Sequence, residues 1–417
     1  MSRVTATPQR RGHVAMFAGD EQPWPRLLRR IPDRELGMVP VAGALVLIWG
    51  VFAAIEPAFL SADNLVNLTL QSVPTGVIAL GLVLVLLVGQ IDLSVGSVSG
   101  LAAAVVAVTT VQTDWPITLG LLLALAVGVV VGLGYGVLVT RLGLPSFVLT
   151  LAGLLVLAGV QQRVLSPQGS INLPFESWLV RFAQQSFLSP LAAWSLVVVA
   201  VTVVTAVQLV ERARRARAGL PRVGLGRLVL RTAALATLLC ATVAYLGTER
   251  GIGYPVVLLV ALVVVFDVLL RRTRWGRSVR AVGGDPRSAL LLGVAVRRTT
   301  VSCFVACSTL AALGGILSAG RLAAANQGTG GTETFLTAIA AAVIGGTSLF
   351  GGRGSAWSAL LGVLVLTSIS SGLTLLNLDT SSRYIVTGLV LALALTADTL
   401  IRGRRAPDKG PAARLRP

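Results

Sequence analysis

The chain carries long stretches of uncharged, apolar residues along almost its whole length. Roughly 20 such residues in a helix cross the hydrocarbon core of a bilayer. Twelve stretches come close to that length: 39–55, 64–90, 93–113, 115–140, 142–162, 187–210, 232–248, 251–270, 299–320, 334–352, 354–377 and 383–401. Lipid offers no hydrogen-bond partners, so a spanning segment must satisfy its own backbone groups, and a helix does so. The sequence therefore predicts an all-α, polytopic integral membrane protein with about twelve transmembrane helices.

The positive charge of the chain is spread between these stretches. Charged residues make up only 12% of the 417 residues, although the formal net charge is +18. Soluble domains carry roughly 25% charged residues. A strongly basic chain can bind nucleic acid, but here the arginines lie in short segments between apolar stretches and form no basic folded domain. We therefore expect membrane lipid as the surroundings and no nucleic-acid partner.

The arginines also predict the orientation, because cytoplasmic loops of membrane proteins are enriched in Lys and Arg. With twelve spans and the N-terminus inside, most of the 35 basic residues fall on the cytoplasmic side. The exceptions are Arg163, Arg181, Arg250, Arg321 and Arg383. Both termini are therefore predicted to be cytoplasmic.

This orientation divides the chain into three parts. A basic cytoplasmic tail covers 1–38, a transmembrane domain covers 39–402, and a second basic tail covers 403–417. Within the transmembrane domain, 271–298 is a long cytoplasmic loop.

No source of energy is visible in the chain itself. A P-loop needs a lysine that reaches the β- and γ-phosphates of ATP, and the only lysine, Lys409, lies in the C-terminal tail. An ion-driven carrier or a membrane-embedded enzyme would place carboxylates or histidines within its spans. The only histidine is His13 in the N-terminal tail, which leaves Asp92 as the sole candidate. We therefore predict a non-enzymatic pathway, without catalytic residues, a metal site or a cofactor of its own, that is powered by another subunit.

Asp92 lies in the sequence GQIDLSVGS (89–97), where one apolar stretch ends and the next begins. The orientation places it in the cytoplasmic turn between the second and third spans. A carboxylate there can cap a new helix by accepting the amide hydrogens of the Ser94–Val95 turn. We interpret Asp92 as a helix cap, with no catalytic or proton-transfer role.

The loop 271–298 contains the signals of a short helix. Asp285 suits the N-cap, Pro286 the first helical position and Gly293 the C′ position, which predicts a helix over 287–292. Leu290, Leu291 and Leu292 would then be exposed in a basic cytoplasmic loop. Such leucines indicate either a protein partner that covers them or an amphipathic helix on anionic lipid.

Glycines also occur in groups at three other places in the chain. Gly128, Gly132 and Gly136 form a small-xxx-small ladder on one helix face, which predicts close packing against another helix. A pair at 314–315 and a cluster at 351–354 follow, and the cluster sits at a cytoplasmic span end like Gly89.

Three stretches together resemble the permeases of sugar ABC importers, the ribose, xylose and galactose group. They are GQIDLSVGS (89–97), VRAVGGDPRSALLLGV (279–294) and AIAAAVIGGTSLFGGRGS (338–355). The resemblance covers about 64–165 and 254–402. Between these parts, 166–253 adds two spans around an Arg-rich loop at 211–231, and this insertion is similar to that of the xylose-type permeases.

The resemblance implies a homodimeric permease in the plasma or inner membrane of a bacterial cell. A separate ATPase, which uses ATP and Mg, would bind the cytoplasmic loops, and an extracytoplasmic binding protein would deliver a monosaccharide, D-xylose or another pentose. The alternative is the same architecture with a different cargo: another sugar, a polyol, a nucleoside or a branched-chain amino acid. The coupling contacts would come from Gly284, Asp285, Pro286, Arg287, Leu290, Leu291 and Gly293.

The sequence departs from the group's pattern at two points. Asn commonly stands where this chain has Asp285, and a Glu-Leu-Asp run usually precedes the position of Ala338. Here Glu333 is the only carboxylate in that outer loop, so the partner or the substrate could differ.

Polar residues near the span ends and breaks are the candidates for the sugar path. They are Asn67, Gln71, Gln90, Asp92, Ser94, Ser97, Asn326 and Thr347. The alternative for each is a hydrogen bond between membrane helices.

Overall fold

The computed structural model describes residues 38–221 and 224–379, and, beyond them, 381–382, 384–386, 388–389, 392 and 396. The two predicted tails therefore lie outside the described residues, except for Met38. Within the described part the regular structure is helical apart from two strands of three residues each. The predicted all-α fold is confirmed.

The helices follow the apolar stretches closely. In chain order they are α1 (Met38–Ile55), a 3₁₀ turn (Pro57–Leu60), α2 (Ala62–Leu87), α3 (Val95–Val111), α4 (Ile117–Leu142), α5 (Ser146–Val164), strand β1 (Ser170–Asn172), α6 (Trp178–Val180) with a π-helical turn (Arg181–Gln185), α7 (Pro190–Arg217), α8 (Leu225–Leu246), α9 (Tyr254–Arg272), α10 (Arg274–Gly284), α11 (Pro286–Leu291), α12 (Val296–Leu322), strand β2 (Ala324–Asn326), α13 (Thr332–Ile344) and α14 (Ala356–Leu375).

Eight of the described helices are long and apolar enough to cross a membrane, and three shorter apolar helices accompany them. Together they correspond to every predicted stretch up to 354–377. The last predicted stretch, 383–401, falls almost wholly outside the described residues. The chain is a multi-pass membrane protein.

Helix α2 runs through the middle of the bundle. Every residue from Gly76 to Val88 is buried, because α3, α9, α12, α13 and α14 pack around it. A helix that is apolar on all sides is expected in the core of a bundle rather than at its surface. The outer helices differ, since α4, α5, α7, α8 and α9 expose many large apolar side chains.

The glycine ladder of α4 packs directly on α12. A Cβ atom at Gly132 would lie 2.6 Å from the carbonyl oxygen of Phe304, and one at Gly136 would lie 2.7 Å from the Cα atom of Val301. Without side chains at these positions the two backbones approach closely enough for extensive dispersion contact. The predicted close packing of this face is confirmed.

Between α12 and α13 the chain turns back into the bundle. The backbone of Gly330 packs on α3, because a Cβ at Gly96 would lie only 2.6 Å from its carbonyl oxygen. Buried Gln161 of α5 holds the same loop, since its amide nitrogen donates to the carbonyl oxygens of Asn326 and Thr329 at 3.1 and 2.9 Å. As a result α13 begins beside the first turns of α3, inside the bundle.

The insertion 166–253 is part of the bundle and differs in one respect from the prediction. Its strand β1 pairs antiparallel with β2, and Ser170 lies opposite Asn326. The Arg-rich segment 211–231 is mostly helical rather than a loop, because α7 continues to Arg217 and α8 begins at Leu225. Arginine and alanine favour helix, and long arginine side chains can extend from a helix towards water.

Candidate functional site

The segment between α9 and α12, which the sequence predicts to be cytoplasmic, folds as two short helices. Helix α11 is the helix predicted from the sequence, and its capping matches the prediction in detail. Helix α10 was not predicted. The sequence does contain a signal for this helix, namely an amphipathic pattern. Val279 and Val282 are buried on one face, whereas the arginines of the same helix are not buried. Trp275 fixes α10 to α12 by donating a hydrogen bond to the Ser302 hydroxyl at 2.7 Å.

Asp285 is the N-cap of α11. Its two carboxylate oxygens accept the amide hydrogens of Arg287 and Ser288, both at 3.1 Å, and Oδ2 also accepts from the Ser288 hydroxyl. The Ser288 hydroxyl and then these amides lower the pKa of Asp285 below its ordinary value of 3.8. The carboxylate is therefore ionised at neutral pH and keeps its capping bonds. At the other end Gly293 has φ of +79°, which a side chain would disfavour.

The leucines of α11 project away from the protein. Leu290, Leu291 and Leu292 are 64%, 88% and 82% exposed, whereas Ala289 is buried and anchors the helix. Three adjacent exposed leucines on a rigid, capped helix form a surface that a partner can cover. The docking role of this surface stays a prediction.

Three distant segments meet beside α10 in what we term the glycine junction: Leu87 and Gly89 at the end of α2, Gly283 in α10, and Gly351 with Gly352 in the break between α13 and α14. The Gly352 amide donates to the Leu87 carbonyl oxygen at 3.0 Å. A Cβ at Gly351 would lie 2.8 Å from the Gly283 oxygen and 3.0 Å from the Gly89 Cα.

The backbones of the three segments are therefore in direct contact, with no side chains between them. Gly89, Gly351 and Gly352 also have φ of +73°, +87° and +72°, a region that favours glycine. The junction connects the segment that carries α11 to both interruptions of the transmembrane helices.

Asp92 lies between the end of α2 and the start of α3, where the sequence predicts a turn between the second and third spans. It is fully buried, because residues 88–94 fold back against α5 before α3 begins. The Ser146 hydroxyl accepts the Ile91 amide at 3.3 Å, and the Thr150 hydroxyl accepts the Leu93 amide at 3.1 Å.

The carboxylate of Asp92 makes only some of the capping hydrogen bonds that were predicted at the start of α3. Its Oδ1 accepts from the amide and the hydroxyl of Ser94, at 2.9 and 2.7 Å. The Val95 amide is not among its partners, and Oδ2 has no hydrogen-bond partner within the described residues. Tyr135 of α4 and Cys307 of α12 are close enough to interact with it electrostatically. Tyr135 was not singled out from the sequence, since an isolated tyrosine in an apolar stretch carries no distinctive signal.

The other path candidates lie at different depths and do not form one cluster. Ser94 and Ser97 are buried with Asp92 around the start of α3, whereas Gln90 is half-buried beside them. Thr347 is buried in the break after α13. The path role of each stays a prediction.

At the opposite end of the bundle, two candidates are engaged in local hydrogen bonds. Asn67 donates to Asp63 and accepts from Arg250 of the insertion, at 3.2 and 2.8 Å. Asn326 uses its side-chain oxygen to hold its own turn, accepting from the Gly328 amide at 2.9 Å. Gln71 is exposed about one helical turn inward from Asn67.

Glu333, the one carboxylate of the outer loop, lies exposed in the first turn of α13. The Tyr384 hydroxyl donates to its Oε2 at 2.8 Å. A carboxylate at a helix N-terminus interacts favourably with the helix dipole.

Comparison with known proteins identifies relatives along most of the chain. The profile of the family described as "Branched-chain amino acid transport system / permease component" matches residues 64–395. The Xylose transport system permease protein XylH of Escherichia coli (strain K12) is 33% identical over 349 residues, 84% of this chain and 88% of the relative. XylH of Haemophilus influenzae is 33% identical over 357 residues, 85% and 94% of the two chains.

A second group of relatives carries a different name. The Ribose import permease protein RbsC of Bacillus subtilis (strain 168) is 30% identical over 359 residues, 86% of this chain and 91% of the relative. No solved structure matches the chain significantly.

Proposed function

This chain belongs to the branched-chain amino acid transport system permease family, and from that premise we propose that it forms the membrane pathway for uptake of a pentose, D-xylose. As a permease subunit of an ABC transporter it is not an enzyme. The ATPase and the substrate-binding protein that the family implies are separate chains. We further propose that two copies of the chain enclose the pathway and that ATP and Mg bind to the ATPase alone.

The observation that carries the proposal is the geometry of α11. This helix is capped at both ends, and its buried residue Ala289 packs against the protein. Its leucines are 64–88% exposed. An ATPase that covers these leucines can move α10 and α11 as one rigid unit, since switching elements commonly move as rigid bodies. The glycine junction would then pass this movement to residues 88–94 and 345–354, the two interruptions of the bundle.

Two observations support a pentose as cargo. The relatives named for xylose have 33% identity over 84–85% of the chain, and those named for ribose have 30% or less. The path candidates offer hydroxyls and amides but, apart from the buried Asp92, no charge. Hydroxyl and amide groups can exchange hydrogen bonds with the several hydroxyls of a sugar.

Uptake of labelled xylose tests the cargo. The chain is expressed together with its ATPase and binding protein in a bacterial strain that lacks its own xylose uptake. We expect saturable uptake that excess xylose abolishes and excess leucine does not affect. A strain with the ATPase and binding protein but without this chain provides the control and should show no uptake. Absence of xylose uptake in the complete strain would contradict the assignment.

A branched-chain amino acid is the second candidate, because the family description itself names that cargo. It predicts the opposite competition, in which leucine or valine enters the cells and xylose does not compete. Calorimetry of the binding protein against both ligand classes separates the two candidates independently of the membrane step.

A further inference from the structure

A groove of about 790 Å³ opens between α4, α9 and α12 at their cytoplasmic ends. Its wall is mainly apolar and includes Val137, Phe266, Val301, Val305 and Leu310. The volume lies within the range of 300–1,000 Å³ that is usual for small-molecule sites. No residue of this groove belongs to the coupling surface or to the path candidates described above.

Three arginines stand at its mouth: Arg141 in the last turn of α4, and Arg297 and Arg298 in the first turn of α12. All three are exposed, and none forms an ion pair with any acidic side chain of the described residues. The arginines at the end of neighbouring α9 differ, since Arg271 and Arg272 are paired with acids at 2.8 and 2.9 Å. The groove thus combines an apolar interior with an uncompensated positive mouth.

This combination fits a lipid with a negative headgroup. Arginine binds phosphate through parallel N–H···O bonds, and basic pockets between transmembrane helices on the cytoplasmic side accept anionic headgroups. The predicted orientation places the cytoplasmic ends of all three helices here, so the mouth would lie at the depth of the inner-leaflet headgroups. An acyl chain can then run along the apolar wall.

We propose that the groove binds one anionic phospholipid of the inner leaflet, with its phosphate held by Arg141, Arg297 and Arg298. The charge complementarity favours this occupant over a second copy of the chain, whose matching groove would bring like charges together. Arg297 lies four residues after Gly293, so the bound lipid would sit directly beside the coupling segment. The proposal rests on the groove and its charges and does not depend on the identity of the transported solute.

Lipid titration of the purified chain by native mass spectrometry tests the site. Phosphatidylglycerol and phosphatidylcholine with identical acyl chains are added, and we expect the wild type to bind phosphatidylglycerol at least tenfold more tightly. One basic residue near an anionic surface is worth about a fivefold preference. The triple variant Arg141→Gln, Arg297→Gln, Arg298→Gln should therefore bind phosphatidylglycerol roughly a hundredfold more weakly.

A control variant removes the same charge elsewhere on the cytoplasmic side. Arg214→Gln, Arg215→Gln, Arg217→Gln alters the exposed last turn of α7 and should bind phosphatidylglycerol like the wild type. Equal affinities of the two triple variants, or equal binding of both lipids by the wild type, would overturn the proposal. If the first triple variant does not fold, Arg297→Gln alone should still show a loss of about fivefold.

The apolar part of the site has its own test. Ala306→Trp fills the half-buried wall of the groove and leaves the arginines in place. We expect it to abolish the phosphatidylglycerol preference. Retention of the preference, or binding of glycerol 3-phosphate as tight as that of the lipid, would contradict an acyl-chain site. A groove occupied by a second copy would instead show dissociation of dimers in Ala306→Trp without loss of lipid, which also refutes the proposal.

Discussion

Replacement of Gly283 by alanine tests the glycine junction with the smallest possible change. The added Cβ atom would clash with the carbonyl oxygen of Leu87 and would lie 2.6 Å from the amide nitrogen of Gly352. Both atoms belong to backbone, so neither can turn aside as a side chain could. The two atoms are also donor and acceptor of the 3.0 Å hydrogen bond that connects α2 to the break after α13.

The magnitude follows from these two contacts. Overpacking of a well-packed site costs about 1–3 kcal/mol, and loss of the hydrogen bond costs a further ~0.5–1.5 kcal/mol. The docked arrangement of the junction should therefore lose about 1.5–4.5 kcal/mol. Since about 1.4 kcal/mol corresponds to a factor of ten, the ratio of docked to undocked molecules should fall tenfold or more. The contact lies within this chain, whereas the proposed ATPase is a separate chain, so we expect hydrolysis to continue while transport falls.

The assay is sugar uptake per ATP hydrolysed in proteoliposomes that contain the variant, the ATPase and the binding protein. Gly226→Ala is the matched control, because Gly226 also lies in a helix, outside the predicted coupling contacts, and a Cβ added there would meet no neighbouring atom within 4 Å. We expect uptake per ATP to fall by up to the same factor in Gly283→Ala and to stay at the wild-type level in Gly226→Ala. Wild-type coupling in Gly283→Ala would refute the role of the junction.

Three further substitutions give distinct outcomes. Leu291→Asp should abolish binding of the ATPase in pull-down experiments while the protein still inserts, and unchanged binding would remove α11 from the interface. Gln161→Leu leaves the carbonyl oxygen of buried Thr329 without its side-chain donor and should lower the unfolding free energy by about 1–3 kcal/mol. Exposed Gln162→Leu should change it by less than about 0.5 kcal/mol, and equal thermal denaturation of both would argue against Gln161 as the anchor of this loop. Asp285 has a lowered pKa, so its cap should persist above pH 3.8 and weaken only as the pH falls below that value. Amide exchange at Arg287, compared between wild type and the uncharged cap Asp285→Asn, should show that acid loss in the wild type alone.

The transmembrane helices could be predicted because each apolar stretch reports directly on its surroundings. Length and lack of charge placed α1 to α5, α9, α12 and α14 within a few residues of their observed bounds. The predicted stretch 334–352 was too long, because α13 ends at Ile344, whereas α7 and α8 each extend seven residues further into the segment between them than predicted. The two ends of α11 could be predicted equally well, because Asp285, Pro286 and Gly293 act on the backbone within a few residues of their own positions. The Arg-rich end of α7 was misread as a loop, because charge was taken as a sign of irregular structure although arginine is a good helix former.

The site was harder to predict because it depends on contacts between segments far apart in the chain. The carboxylate of Asp92 stands at a helix break, and sequence alone does not tell whether such a break faces water or folds back into the bundle. Burial of the break depends on Ser146 and Thr150, more than fifty residues away. The glycine junction and the proposed lipid groove also form from residues that are far apart in the chain. None of these residues has a distinctive sequence context of its own.

Energy coupling is the central claim, and one reconstitution tests it most directly. Proteoliposomes containing the chain, its ATPase and its binding protein are loaded with ATP and Mg and supplied with labelled xylose outside. The proposed function predicts accumulation that requires all three proteins and internal ATP, and that is unchanged when proton and sodium gradients are collapsed. Accumulation by the chain alone in response to an ion gradient would contradict it.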